Sequence, residues 1–197
     1  MLEFGKYYHI FNRGNNRENL FYEEKNYNHF LKLYGYYIEP VADTFAYCLM
    51  KNHFHLLVRI RDEEEIERLV KFQKLDKSLK PLQQFKNFFI SYAKAINKAY
   101  NRTGSLFQRP FKQIEITSDT YFARLIHYIH FNPQKHRFTN DYTTYRHSSY
   151  QLVISDKPTA LNRKAVLNWF GGKEEFIQFH RNVADEKGIL KLISEDE

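Results

Sequence analysis

The order in which hydrophobic periodicity changes along this chain predicts an α+β fold, an antiparallel sheet covered by helices. Two short apolar runs split by a polar dipeptide, helical spacings on either side of them, and an aromatic content of 17% carry that reading. So many large rings can fill a core, and they exclude a disordered chain, which has little to bury. Tyr7–Asn12 alternates weakly and stops at Arg13-Gly14-Asn15-Asn16, so a first strand ends in a loop. Glu23–Tyr37 sets Tyr27, Phe30, Leu31, Leu33 and Tyr34 at helical spacings. Asp43–Met50 and His53–Ile60 are strand-length runs flanking Lys51-Asn52, which predicts a hairpin. The acidic run Asp62–Glu67 suits the positive end of a helix dipole. Pro81 then opens a longer helix to about Asn101, with Leu82, Phe85, Phe89, Tyr92 and Ile96 in one stripe. Thr103-Gly104-Ser105 breaks it, and Phe111–Ile116 reads as a further strand. Thr117-Ser118-Asp119 caps a helix expected to stop near Asn132-Pro133, because the residue before proline avoids the helical region. Beyond Arg137 the pattern weakens into turn-rich Thr139–Ser149 and a short helical tail around Arg163–Phe179.

Length and composition narrow the class. A chain of 197 residues has room for one ordinary domain with a small C-terminal appendage, here residues 1–150 and 151–197. No apolar run reaches the roughly 18–20 residues that span a bilayer, and the strand-like opening MLEFGKYYHI lacks a signal-peptide pattern. The single Cys48 excludes a disulfide framework and a multi-cysteine metal cluster. A cytoplasmic protein with no membrane partner is the expectation. Charge is unevenly spread: from Arg68 to Ile114, eleven cations (Lys74 and Lys77 among them) face one acid, Asp76, a net +10 where the whole chain carries +7. Interleaved with Phe85, Phe88, Phe89, Tyr92, Tyr100, Phe107 and Phe111, this stretch points to a polyanionic partner, although most of those rings read equally well as core.

Chemistry concentrates in two places. In the second hairpin strand, alternation puts His53, His55, Leu57 and Arg59 on one face and Phe54, Leu56, Val58 and Ile60 on the other. The second set is an uninterrupted core face, so the histidines stand side by side opposite it. Two imidazoles at i and i+2 can bind one metal ion. In the helix before Pro133, Phe122, Leu125, Ile126 and Ile129 form the buried stripe, and Tyr128 and Asn132, at i and i+4, share another face. If that face covers the histidine side of the sheet, Asn132 can give a carbonyl oxygen as third ligand and Tyr128 can point its hydroxyl at what the metal polarises. His127 and His130 point away and read as structural or phosphate-contacting.

A strand bearing His-hydrophobe-His with a downstream helix bearing Tyr and an amide four positions later resembles the HUH endonucleases. More narrowly, the run YIHFNP, the segment Gly104-Ser105-Leu106-Phe107-Gln108-Arg109, the opening Tyr8-His9-Ile10-Phe11-Asn12-Arg13-Gly14-Asn15 and the later His147-Ser148-Ser149-Tyr150 resemble the REP-associated tyrosine transposases. These are relatives of the single-tyrosine insertion-sequence transposases. The likeness spans roughly residues 5–150, and Trp169-Phe170-Gly171-Gly172 resembles a feature of the family's tail.

The resemblance implies a ferredoxin-like sheet carrying the histidine pair under the tyrosine helix. It implies metal-dependent cleavage and rejoining of single-stranded DNA at hairpins, in which Tyr128 attacks phosphorus to leave a 5′-phosphotyrosyl enzyme and a free 3′-hydroxyl. A phenol with a pKa near ~10 is a poor nucleophile at neutral pH. A divalent ion on His53, His55 and Asn132 would help by gripping a non-bridging phosphate oxygen. Ligation by N and O without thiolate suits Mg²⁺ or Mn²⁺. Arg13, Arg109 and Lys112 are the cations expected on the DNA backbone. A monomer is expected over the dimer of the insertion-sequence relatives, since the C-terminal segment can cover that interface. A non-catalytic hairpin-binding regulator is the alternative.

Overall fold

The computed structural model of the protein describes residues 1–72 and 79–182. Lys74, Asp76 and Lys77 of the basic stretch, and residues 183–197 of the C-terminal extension, lie outside the described residues. Four strands, β1 (Tyr7–Arg13), β2 (Ala42–Met50), β3 (His53–Ile60) and β4 (Lys112–Glu115), form one sheet in the order β2-β3-β1-β4. Every neighbouring pair is antiparallel. Helix α1 (Glu24–Tyr37) links β1 to β2, and α2 (Glu63–Phe72) and α3 (Pro81–Ala99) link β3 to β4. Each link leaps one strand to a parallel one, which is the split β-α-β arrangement of the ferredoxin-like fold. The element order and the two-residue Lys51-Asn52 turn follow the sequence reading.

The sheet has two covered faces. On the first, Tyr8, Ile10, Phe54, Leu56, Val58 and Ile60 meet Phe30 and Tyr34 of α1 and Phe85, Phe88, Phe89, Tyr92 and Ile96 of α3. The rings of the basic stretch are therefore core, with Lys86, Lys94, Lys98 and Arg109 exposed around them. On the second face lies α4 (Asp119–Lys135), whose N-cap Ser118 accepts a hydrogen bond from Tyr121 N–H. Contrary to the expected stop at Asn132-Pro133, α4 runs one turn further. A proline in the last turn removes only one helical hydrogen bond, and the chain closes with His136 N–H on Asn132 O and Phe138 N–H on Pro133 O.

A bulge decides where α4 sits. The β2–β3 register shifts between Thr44 and Ala46, so Phe45 and Ala46 both face α4 while Thr44 turns back to hydrogen-bond Tyr34 at 2.7 Å. Phe45 then packs edge-on against Phe122 of α4 and Tyr7 of β1. The tail closes the same core as α5 (Tyr150–Ile154), α6 (Arg163–Phe170) and α7 (Lys173–Asn182); Gly171, whose φ of +88° ends α6, separates α6 from α7. Tyr150, Val153, Leu161, Val166 and Phe176 share one cluster with Phe45, Leu57 and Phe122.

Gly14 holds the loop after β1 against Asn52 O, to which its N–H donates at 2.8 Å. A Cβ there would overlap the backbone oxygen of Glu18. Gly14→Ala is therefore expected to destabilise the fold by about 2 kcal/mol and to lower Tm by roughly 4–8 °C, measured by calorimetry. An unchanged Tm would refute the close-approach argument.

Candidate active site

The site is where α4 crosses β3. Antiparallel register pairs Arg13 with His53 and Phe11 with His55, so these side chains share the α4 face of the sheet. His53 and His55 are 7% and 5% exposed, so the face that carries them is covered and not solvated. Their rings meet edge to face at 5.4 Å. Tyr128 lies over the pair, its ring 5.5 Å from that of His55, and Lys135 Nζ sits 5.2 Å from the Tyr128 ring centroid. Asn132, fully buried one turn along α4, puts Oδ1 3.4 Å from His53 Nε2. The His136 ring stacks edge-on to His53 at 4.9 Å.

Tautomers follow from the partners. His53 Nδ1 lies 2.7 Å from Asn52 Oδ1; an amide oxygen only accepts, so Nδ1 carries the hydrogen and Nε2 the lone pair. That lone pair faces the oxygen of Asn132, while Asn132 Nδ2 is buried without a hydrogen-bond partner among the described residues. Two acceptors therefore converge. Donor atoms about 2.1 Å from one ion and 90–110° apart are themselves about 3.0–3.4 Å apart, so the pair fits two neighbouring ligands of a divalent cation. Burial keeps both imidazoles neutral, as ligands must be: it pushes His53 down to about 3, with the neighbouring His136 adding to the effect, and holds His55 well below the ordinary histidine range.

The sequence-derived residues divide into two groups. His53, His55, Tyr128, Asn132 and Arg13 come together, and Lys112, paired with Phe11 on the edge strand β4, faces the same side of the sheet. Arg109 does not join them. It lies with Lys86 and Lys94 at a groove on the α3 side, lined also by Phe89 and Phe107. His9 entered the sequence reading only inside the motif Tyr8–Asn15. It is fully buried beside His55, with Nε2 2.9 Å from His55 Nδ1. The signal that places it is the alternation of β1, which puts His9, Phe11 and Arg13 on one face.

The other side of α4 is tied down by histidines too. His180 Nδ1 donates to Phe176 O at 2.8 Å, so its Nε2 accepts from His130 Nδ1 at 3.0 Å. His130 Nε2 in turn accepts from the Ser149 hydroxyl at 2.8 Å, and Ser149 Oγ accepts Tyr47 N–H of β2 at 2.9 Å. His127 packs in the same cluster, its ring 5.4 Å from that of His180. His127 and His130 are thus structural, one of the two roles open to them from the sequence.

The family model for IS200-like transposases matches residues 3–132, a span containing the histidine pair, the tyrosine and the asparagine. The chain belongs to the IS200-like transposase family. Among solved structures it is similar to a REP-associated tyrosine transposase bound to a REP hairpin, at 13% identity and a TM-score of 0.59, covering 80% of this chain and 86% of that one. That likeness is one of fold. No curated protein matches the chain. Among the described residues, no helix is long and apolar enough to cross a membrane.

The histidines behind α4 make a proton-linked prediction. Burial lowers His180 to about 3 and His127 to about 4, against 6.5 for a free side chain. Between these values the unfolded chain binds protons that the folded chain refuses, so stability rises with pH across the window and is lost as pH falls below about 6.5. Denaturant melts should show the protein more stable at pH 7 than at pH 5, and His180→Gln should narrow that difference by about 2 kcal/mol. Equal slopes in both proteins would remove the linkage from His180.

Proposed function

We propose that this transposase cleaves and rejoins single-stranded DNA at hairpin sites by transesterification, with Tyr128 as nucleophile and a divalent ion, Mg²⁺ or Mn²⁺, on His53, His55 and Asn132. The observation that carries the reading is the meeting of α4 and β3. Tyr128 lies against His55, and the Asn132 oxygen is 3.4 Å from the His53 lone pair inside a buried patch. The REP hairpin held by the similar solved transposase supports DNA hairpins as the substrate class.

The chemistry is an exchange of diesters. Tyr128 Oη forms a bond to phosphorus as the bond from phosphorus to the 3′ oxygen breaks. The phenol gives up its proton and the departing 3′ oxygen takes one up. When bound, the ion would neutralise charge developing on the non-bridging oxygens. His53, His55 and Asn132 are neutral donors, so no carboxylate dilutes that charge. The phosphotyrosyl bond keeps the energy of the original diester, and attack by another 3′-hydroxyl reverses the step to give strand transfer. Arg13, opposite His53, and Lys112 are suited to the DNA backbone near the tyrosine. Arg109, with Lys86 and Lys94, supplies attraction at a distance from it. We infer a monomer as the working unit, because α5–α7 fill the sheet face beside α4.

End-labelled single-stranded hairpins mixed with the protein and Mn²⁺ should give a covalent adduct on a denaturing gel. Tyr128→Phe should abolish it, and His53→Ala or Asn132→Ala should reduce it by at least about 100-fold. Tight hairpin binding with no adduct under any metal would replace the enzyme reading with a non-catalytic regulator.

A further inference from the structure

Among the described residues, the His9 side chain makes one hydrogen bond, and that bond is to His55. Its Nε2 lies 2.9 Å from His55 Nδ1, the two rings are nearly parallel with centroids 5.1 Å apart, and Phe11 stacks against both, 4.5 Å from His9 and 5.6 Å from His55. The contact between two neutral imidazoles holds one proton, and where it rests decides what His55 can do. A proton on His55 Nδ1 leaves His55 Nε2 with a lone pair. A proton on His9 Nε2 requires a hydrogen at His55 Nε2, which cannot bind a cation.

We propose that His9 is a positioning residue that accepts the Nδ1 hydrogen of His55 and thereby fixes His55 as a metal ligand through Nε2. The proposal rests on the metal site described above. It gives the two histidines matching outer partners, since Asn52 performs the same service for His53 at 2.7 Å. The two partners differ in one respect. The Asn52 oxygen can only accept, whereas His9 can accept or donate. Accepting requires His9 to carry its own hydrogen on Nδ1, a buried atom with no partner among the described residues. An orphaned donor is costly, an orphaned acceptor less so. The metal-free protein is thus biased toward the tautomer in which His9 donates; metal binding releases the His55 Nε2 proton to solvent, draws the shared proton across to His55 Nδ1, and a proton taken up from solvent replaces it on His9 Nδ1. His9 therefore works as a two-position latch.

The test uses the full-length protein without DNA. His9→Phe keeps a ring of similar shape against Phe11 but removes the acceptor, and His9→Gln restores an amide oxygen. Mn²⁺ affinity measured by calorimetry should fall roughly 10–100-fold in His9→Phe and recover in part in His9→Gln. Melting of the metal-free variants reports folding separately. Long-range ¹H–¹⁵N spectra of the unsubstituted protein test the same point without mutation: the hydrogen of His55 should move to Nδ1 on addition of Zn²⁺. A His9→Phe protein that binds Mn²⁺ within about twofold of the parent, while His53→Ala does not bind, would overturn the role of His9 and leave the metal site standing. Binding unaffected in His53→Ala as well would overturn the site itself. An unchanged His55 tautomer would overturn the latch even if His9→Phe failed to fold.

Discussion

The packing of α4 across the second face of the sheet is the constraint on which the rest depends. A ferredoxin-like sheet needs helices on one face only, and α1 and α3 satisfy that requirement with a core of their own. The second face carries His9, Phe11, His53, His55 and Leu57, a polar strip that would be solvated if nothing covered it. Covering it with α4 buries the imidazoles, lowers their affinity for protons and brings Tyr128 and Asn132 onto them. One packing event thus makes the histidines neutral and supplies the oxygen that faces them.

Such a helix must be held on both sides, because its site-facing side is rich in polar groups that contribute little to packing. The holding is done elsewhere on its circumference and at its ends. Phe122 locks between Phe45 and Trp169 at the N-terminal half. At the back, the relay from Ser149 through His130 and His180 to Phe176 O binds α4 to β2 and α7 with every nitrogen satisfied. A fully satisfied buried network costs little and fixes one geometry, whereas a partly satisfied one would be worse than an apolar core. The C-terminal helices are in this sense support for the site: through His180 and Ser149 they hold His130 of the helix that carries Tyr128 and Asn132.

Much of this was legible in the sequence, and the boundary of what was legible has physical causes. Strands and helices with clean periodicity were readable to within a residue or two. The alternation of β3 was enough to separate His53 and His55 from the core face. The meeting of Tyr128 with those histidines was conditional on one helix covering one face, which local pattern cannot decide. Pro133 misled because its effect depends on position: in the last turn it removes one bond and α4 continues. The bulge at Phe45 was invisible because the run Phe45–Met50 is apolar at every position, so an extra residue within it leaves no mark in the alternation. The rings of the basic stretch were ambiguous between core and stacking surfaces until α3 showed which way they face. Ser149, His130 and His180 lie far apart in sequence, and their relay is a product of the tail's path.

His9 illustrates the difference between recognising a residue and knowing its work. Its type and position were on the page in the first strand, but a histidine on a strand facing the core is ordinarily a satisfied structural group. What changes that reading is the partner: the nitrogen it engages belongs to a ring whose other nitrogen has to stay unprotonated if it is to hold a cation. The sheet register sets this contact, placing His9 one diagonal step from His55 while Phe11 stands directly opposite. Phe11 stacks on both rings and limits their rotation, so the hydrogen bond keeps its direction whichever atom holds the proton. A neighbour with a fixed donor at this place would turn His55 away from metal, and one with a fixed acceptor would commit it permanently. An imidazole allows both states. It is therefore the tautomer of a buried neighbour, and not its charge, that the fold leaves free to respond when a cation arrives.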